Sequence, residues 1–202
     1  MNTLHSGGMR KAIMLGLALS LIACGGPATP QIRTTAFLEG HEFLFENGLD
    51  LIVDPGALEG TWLNEWRQQL DRRVQEADVI ALVTVNTVRV DTDLERRQTI
   101  RLVATPDRFF VGADNVQEGD LVLSAREGET GYGTLESQER QVLNTQFFAF
   151  IKWKEVLDGQ VQARWHLTPV SAGNAEQVRD LLAERRQVER DEGTRTVVIH
   201  RE

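Results

Sequence analysis

The run from Val79 to Val90 constrains the fold of this chain more than any other segment. Its apolar residues first alternate with one parity, from position 79 to position 85, and then switch to the other parity at Val88. Alternation of this kind is typical of a β-strand, and a change of parity indicates a β-bulge or a sharp bend. Long bent strands occur where a sheet closes toward a barrel. The run therefore predicts a curled sheet.

Further segments have the alternation expected of strands, and they lie at residues 99–104, 120–125, 146–153, 161–167 and 196–199. The segment from Phe147 to Trp153 is apolar on both faces, which predicts a central strand covered on both sides. In the next strand we expect Trp165 to face inward and His166 to face solvent. Asn47-Gly48 between apolar-rich runs predicts a β-hairpin over residues 41–53 with a type I′ turn.

Three segments have helical periodicity, at residues 62–77, 135–143 and 175–188. In the first, Trp62, Trp66, Leu70 and Val74 form one apolar stripe, which we interpret as core rather than as a binding surface. For the last helix we expect capping by Asn174 and an end at Gly193, because Gly is common just after a helix. The fold class is therefore mainly β with flanking helices (α+β).

Residues 79–168 contain five predicted strands, with a predicted helix between the third and the fourth. This order resembles the OB-like, partly open Greek-key barrel, and in outline the exported barrel domains related to netrin and metalloproteinase-inhibitor modules. A β-sandwich of six or seven strands is the alternative. Those inhibitors chelate zinc through a free N-terminal cysteine, so a lipidated Cys24 would not carry that activity over.

The N-terminal segment has the layout of a secretory signal. Arg10-Lys11 precede an apolar run from Ala12 to Ile22, which is too short to cross a ~30 Å hydrocarbon core. Leu21-Ile22-Ala23-Cys24 closes this run and resembles the bacterial lipobox. The resemblance implies cleavage after Ala23 and acylation of Cys24. We therefore expect a signal peptide at residues 1–23, a flexible tether at 24–35 and one β-rich domain at 36–202.

The same resemblance implies a location in the bacterial cell envelope. The membrane is then a partner through the lipid, and no spanning helix is needed. In two-membrane bacteria, aspartate after the cysteine is associated with inner-membrane retention, whereas Gly25 follows Cys24 here, which favours the outer membrane. An ordinary signal peptide or an anchor helix is the alternative. Cys24 is the only cysteine, so it has no disulfide partner within the chain.

Charge and histidine spacing exclude several classes of function. Removing Arg10 and Lys11 with the signal leaves 20 basic residues against 30 acidic ones, a formal charge of −10. An acidic domain lacks the electrostatic footprint for nucleic acid. The three remaining histidines are not at zinc-hydrolase spacing, and Asp91-Thr92-Asp93-Leu94-Glu95 lacks the glycine of a calcium loop. We therefore expect a charged hairpin tip there, and neither a metal nor a cofactor.

The segment from Gly128 to Gly133 contains three glycines but no lysine, so it does not match a phosphate-binding loop. We expect a mobile loop at the barrel rim. If the domain recognises a ligand or partner, Glu129 and Tyr132 in this loop are the candidate residues.

The main functional hypothesis is a non-enzymatic envelope lipoprotein whose domain contacts an envelope protein or serves envelope architecture. One alternative is a carrier of a small ligand, which is less favoured and requires a cavity lined by Phe148, Phe150 and Trp165. The other is an envelope hydrolase, which requires two carboxylates to converge at roughly 5–10 Å. Its candidate acids are Asp107, Asp114, Asp120 and Glu129.

Overall fold

The computed structural model describes residues 35–157 and 160–198. Cys24, the predicted signal peptide at 1–23 and the predicted tether up to residue 34 lie outside the described residues. The described part confirms the predicted fold class: one curled, partly open sheet of six strands with four flanking helices. The described strands form a single sheet, so the sandwich alternative does not hold for them. Among the described helices, none is long and apolar enough to cross a membrane.

The strands follow the Greek-key order. They are β1 (Gly48–Leu49), β2 (Val79–Thr92), β3 (Gln98–Val111), β4 (Leu121–Arg126), β5 (Gln146–Glu155) and β6 (Val161–Pro169). Their order across the sheet is β1-β6-β5-β2-β3-β4. The strands β2, β3 and β4 form a meander, and β5 returns to lie beside β2, which is the Greek-key arrangement. β1 pairs with β6 in parallel, and the other neighbours are antiparallel.

The predicted irregularity in β2 is confirmed. The register between β2 and β3 shifts between Val85 and Thr87, with further shifts near Ile80 and Leu82. Because a bulge increases local twist and bends the strand, these shifts curl the long β2–β3 pair. The hairpin tip predicted at residues 91–95 is confirmed, since Asp93 accepts hydrogen bonds from the backbone N–H groups of Glu95 and Arg97.

The helices are α1 (His41–Leu44), α2 (Gly60–Glu76), α3 (Tyr132–Val142) and α4 (Ala172–Val198). α3 covers one face of the sheet, where the α3-side core includes Leu102, Leu123, Ile151, Trp165 and Leu167. α1, α2 and α4 cover the other face, where the α2-side core includes Phe45, Leu70, Val74, Phe148 and Phe150. Strand β5 contributes to both cores, so its predicted central position is confirmed.

The predicted N-terminal hairpin is wrong. Residues 41–44 are helical, and Gly48-Leu49 pairs with β6 instead of with a neighbouring arm. Asn47 does have a positive φ of 58°, as the turn prediction requires. However, its side chain accepts a hydrogen bond from the backbone N–H of Trp165, at 3.1 Å. Tertiary pairing with β6 has therefore replaced the local hairpin.

The predicted C-terminal boundary is also wrong. α4 continues through Gly193 to Val198, so the expected strand at 196–199 does not form over its described residues. A glycine inside a helix costs only about 1 kcal/mol. Asn174 does not act as the cap, since its side chain donates to the carbonyl oxygens of Ile52 and Pro169. The hydroxyl of Ser171 instead accepts from the Asn174 N–H, as a cap does.

Candidate functional site

Glu129, predicted to belong to a ligand loop, is engaged within the fold. Its carboxylate accepts hydrogen bonds from Asn47 Nδ2 at 2.9 Å, Arg126 N at 2.8 Å and Arg164 Nη1 at 2.7 Å. Burial by itself raises the pKa of Glu129, but the bonds from Asn47 and Arg126 and the charge of Arg164 lower the pKa below its usual value. The residue therefore joins β4 to β6 and to the residue before β1.

Tyr132 and its neighbour Gly131 are packed into the same junction. Tyr132 is buried, and its hydroxyl donates to Gln98 Oε1 at 2.7 Å. A Cβ at Gly131 would collide with the Asn47 carbonyl and with Gly48 Cα, so glycine permits the close approach. Trp165 Nε1 on β6 also donates to the Ser124 carbonyl on β4, at 3.2 Å. This bond crosses the open side of the sheet, where β4 and β6 face each other without pairing. Binding of a ligand or partner at Glu129 and Tyr132 stays a prediction.

Two of the four candidate acids of the hydrolase alternative lie in the same part of the sheet, and the other two lie elsewhere. Asp107 accepts from Thr84 Oγ1 at 2.7 Å, and Asp120 accepts from Thr105 Oγ1 at 2.5 Å, so both lie on one exposed polar strip across β2 and β3. Glu129 follows β4, whereas Asp120 precedes it. At ~3.3 Å per residue, the length of that strand separates them by about 20 Å. Asp114 lies in a short 3-10 turn.

The cavity expected for a small-ligand carrier does not form from the predicted residues. Phe148 and Phe150 belong to the α2-side core, whereas Trp165 belongs to the α3-side core, so they lie on opposite faces of the sheet. The open side of the sheet instead has a recess of about 390 Å³. Its apolar lining comes from Val116, Leu121, Val122, Leu123, Ile151, Trp153 and Ala163.

A second concave site lies between α2, the β1 region and β6, and we call it the tryptophan pocket. It has a volume of about 240 Å³. Its lining residues are Glu46, Leu49, Asp50, Ile52, Leu58, Trp62, Glu65, Trp66, Gln69, Arg73 and His166. The stripe on α2 was interpreted as core, and this holds for Trp66 but is wrong for Trp62, which is 74% exposed at the pocket. The pocket thus combines aromatic walls with several ionisable groups.

His166 was predicted to be a solvated strand residue, and this is wrong. It is only 2% exposed, because α1 and α2 cover the face of β6 that carries it. Its Nε2 lies 3.4 Å from Asp50 Oδ2, and Thr168 Oγ1 donates to the same oxygen at 2.9 Å. Burial, together with the charge of Arg73, lowers the pKa of His166 to about 4, against the opposing effect of Asp50. The imidazole is therefore neutral at pH 7.

The ring orientation makes Nδ1 of His166 a hydrogen-bond acceptor. Because Nε2 faces the Asp50 carboxylate, the proton of the neutral ring is assigned to Nε2. Nδ1 is buried and has no hydrogen-bond partner among the described residues. The nearest charged group to Nδ1 is the Glu46 carboxylate, whose Oε1 lies 3.7 Å away. This distance is too long for a hydrogen bond.

Glu46 is the second acceptor without a donor. Its side chain is 22% exposed, and no hydrogen bond from the described residues reaches its carboxylate. Burial, with a smaller contribution from Asp50, raises the pKa of Glu46 against the opposing charge of Arg73. Arg73 does not pair with it directly, because its Nε donates to the Leu44 carbonyl at 2.9 Å and its Nη2 to Gln69 Oε1 at 3.3 Å.

The sequence contains no motif that would have located this pocket. Two sequence features belong to the pocket: polar residues alternate along β6 at Arg164, His166 and Thr168, and Arg73 lies on the apolar side of α2. Neither reveals that the two elements face each other. Among residues 35–157 and 160–198, no group of three or more His, Cys, Asp or Glu side chains has an arrangement that could hold a metal ion.

The arrangement is suited to binding, since it combines two indole rings with two acceptors that receive no hydrogen bond from the described residues. The hydroxyl of Thr168 donates to Asp50. No protein-family model matches the chain, and neither does any curated protein.

Proposed function

We propose that this chain is a lipid-anchored protein of the bacterial cell envelope, placed by Cys24 in the outer membrane, whose domain binds an envelope protein without catalysing a reaction. The sequence from Leu21 to Cys24 supports the anchor, and Gly25 supports the choice of membrane. The acidic character of the chain opposes contact with nucleic acid or with an anionic lipid surface.

The observation that carries the binding function is the exposure of Trp62 beside the tryptophan pocket. Large aromatic side chains are enriched among the residues that dominate binding energy at protein interfaces. Leu51 and Val53, in the segment that forms the neighbouring wall, are also at least half exposed. An exposed indole at the mouth of a concave site, with exposed apolar residues on either side of the lining residue Ile52, has the composition of a docking surface.

The anchor is tested by Cys24→Ser, with Thr29→Ala in the tether as the control. We expect Cys24→Ser to abolish labelling by a fatty acid and to move the protein out of the carbonate-washed membrane fraction. Gly25→Asp should move the lipidated protein toward the inner membrane. Fatty-acid labelling of the Cys24→Ser protein would overturn the anchor.

The docking surface is tested with a photo-reactive amino acid at position 65, which lies on the pocket wall and is exposed. In intact cells we expect a discrete adduct that Trp62→Ala abolishes. Leu94→Ala is the matched control, because Leu94 is equally apolar and fully exposed but lies at the β2–β3 hairpin tip. An adduct that survives Trp62→Ala would contradict the assignment of this surface.

The recess at the open side of the sheet favours a small-ligand carrier as the second candidate. Its lining is mainly apolar, and Trp153 Nε1 is buried there without a hydrogen-bond partner among the described residues. Binding of an apolar fluorescent probe that Ala163→Trp blocks would support this candidate. Unchanged probe binding by Ala163→Trp would count against it.

A further inference from the structure

The tryptophan pocket has an excess of acceptors and negative charge. Its lining contains three carboxylates, from Glu46, Asp50 and Glu65, against the single guanidinium of Arg73. With His166 neutral, the formal charge of the lining is −2. The charge of Arg73 is included in this sum, but its guanidinium donates its hydrogen bonds to Leu44 and Gln69. The pocket therefore favours a positively charged occupant.

Two of the acceptors lie side by side and lack a donor. Glu46 Oε1 and His166 Nδ1 are 3.7 Å apart, and neither has a hydrogen-bond donor among the described residues. A group with several N–H bonds, such as an ammonium or a guanidinium, can donate to the Glu46 carboxylate, which is partly exposed, whereas His166 Nδ1 is buried. Asp50, by contrast, already accepts from Thr168 Oγ1 and from the Ile52 N–H.

The walls of the pocket suit a cation on an apolar stem. Trp62 and Trp66 both line it, and an indole face attracts a cation more strongly than other aromatic rings do. The volume of about 240 Å³ is enough for one long side chain and too small for a folded element. Leu49, Ile52 and Leu58 supply the apolar surface that the methylene groups of such a side chain would cover.

An unpaired donor in the pocket favours a polypeptide over a free amine as the ligand. Trp66 Nε1 is a buried donor without a hydrogen-bond partner among the described residues. A lysine or arginine residue in a polypeptide brings a backbone carbonyl, which is an acceptor, next to its basic side chain. A free alkylamine brings no acceptor. Trp62, with Leu51 and Val53 on either side of the lining residue Ile52, also exposes more apolar surface than one small amine would cover.

We infer that the tryptophan pocket receives a lysine or arginine side chain of the partner polypeptide, with Glu46 as the acceptor and Trp62 and Trp66 as the walls. This inference rests on the proposed docking function and names the chemistry of the partner. Glu46 and the two indoles contact the basic side chain, whereas Asp50 positions His166 through its hydrogen bond.

The experiment uses the full-length protein in detergent micelles, with its four tryptophans replaced by 5-fluorotryptophan and followed by fluorine NMR. The probes are acetyl-Ala-Lys-Ala amide, acetyl-Ala-Arg-Ala amide, acetyl-Ala-Met-Ala amide and n-butylammonium. We expect the two basic peptides to shift the Trp62 and Trp66 resonances saturably. The methionine peptide should cause no shift.

Glu46→Gln should weaken binding of the basic peptides about ten-fold, because it removes one charge-assisted hydrogen bond. Glu139→Gln is the matched control, since it removes an equal charge from an exposed site on α3. Unchanged affinity in Glu46→Gln, or no shift with either basic peptide, would overturn the inference. Equal affinity for n-butylammonium and the lysine peptide would overturn the polypeptide assignment in favour of a free amine.

The failure of this inference is distinguishable from failure of the docking function. If the peptides do not bind but the adduct at position 65 still depends on Trp62, the surface docks a partner through apolar contacts alone. If the adduct does not depend on Trp62 but the basic peptides bind, the pocket recognises a cation without serving as the interface with that partner.

Discussion

Two buried ionic clusters lie on the same face of the sheet, on adjacent strands, and they differ in completeness. In the first, Lys152 Nζ lies 3.0 Å from Asp78 Oδ1, and both side chains are almost fully buried. Asp78 also accepts from the Trp153 N–H at 2.9 Å and from Thr35. In the second, the tryptophan pocket, His166 Nδ1 and Glu46 lack a donor among the described residues.

The difference indicates what each cluster is for. A buried pair with every oxygen satisfied has no group left to offer a ligand, and it fixes the chain locally; here it holds Thr35, the first described residue, against the sheet. A cluster with unsatisfied acceptors is costly to the folded state. Such a cost at a concave surface is typical of a site that is completed by a partner.

We call the first cluster, formed by Lys152, Asp78 and Thr35, the closed cluster, and the second, formed by His166, Glu46, Asp50 and Arg73, the open cluster. The largest expected effect on stability is in the closed cluster. Lys152→Met leaves the Asp78 carboxylate buried without its cation, and we expect the free energy of unfolding to fall by about 3–5 kcal/mol. Lys154→Met is the matched control, because Lys154 pairs with Glu42 near the surface, and its loss should cost at most about 1 kcal/mol. Urea denaturation measures both. Similar losses in the two variants would remove the distinction between a closed core cluster and a surface pair.

The second prediction concerns the pH dependence that His166 gives the open cluster. The pKa of His166 is about 4 in the folded protein, whereas its ordinary value, which applies to the unfolded chain, is 6.5. Between these values the unfolded chain binds the proton and the folded protein does not, so stability falls as the pH falls from 6.5 to 4. The shift corresponds to about 3 kcal/mol. Above pH 6.5 both states are neutral and the effect vanishes.

The groups that face His166 are Glu46, Asp50 and Arg73, and Glu46 has the opposite influence. Its pKa is raised, so its contribution to stability is present below its ordinary value and is lost as the pH rises through the raised value. The measurement is therefore the difference between wild type and His166→Asn in urea titrations from pH 7 to pH 4. His166→Asn should remove most of the acid-side loss. Parallel curves for the two proteins would contradict the assignment of this loss to His166.

Most of the sheet was predictable because its cause is local in sequence. The parity switch at Val85 to Val88 placed a bulge that the register of β2 and β3 confirms. The two-sided apolar pattern of β5 placed it at the centre. Both features follow from the period-2 geometry of a strand, which a sequence records directly.

The site was not predictable because its cause is tertiary. The face of β6 that carries His166 appears polar and therefore solvated, until α1 and α2 cover it. Asn47 adopts the positive φ of a turn, yet its partner is Trp165 rather than the next segment of the chain. Glycines at 128–133 suggested a mobile loop, whereas Gly131 permits close packing against Asn47. In each instance the partner lies far away in sequence.

The third prediction is that one variant of the open cluster stabilises the protein. Glu46→Gln replaces a partly buried carboxylate that lacks a donor among the described residues with an amide that can donate to His166 Nδ1. We expect the free energy of unfolding at pH 7 to rise by about 1 kcal/mol. Glu65→Gln lines the same pocket but is exposed, so it should change stability by less than about 0.5 kcal/mol. A loss of stability in Glu46→Gln would show that the carboxylate is satisfied.

The smallest expected effect on stability belongs to Trp62. Because its side chain is 74% exposed, Trp62→Ala should change the free energy of unfolding by no more than about 0.5 kcal/mol, whereas Trp66→Ala on the same helix should cost about 3–5 kcal/mol. Urea denaturation of the two variants gives this comparison. A large indole that contributes little to the fold but is required for the adduct at position 65 would be retained for contact with a partner. A substantial loss of stability in Trp62→Ala would instead place this residue with Trp66 as part of the core, and the open cluster would then lose its exposed wall.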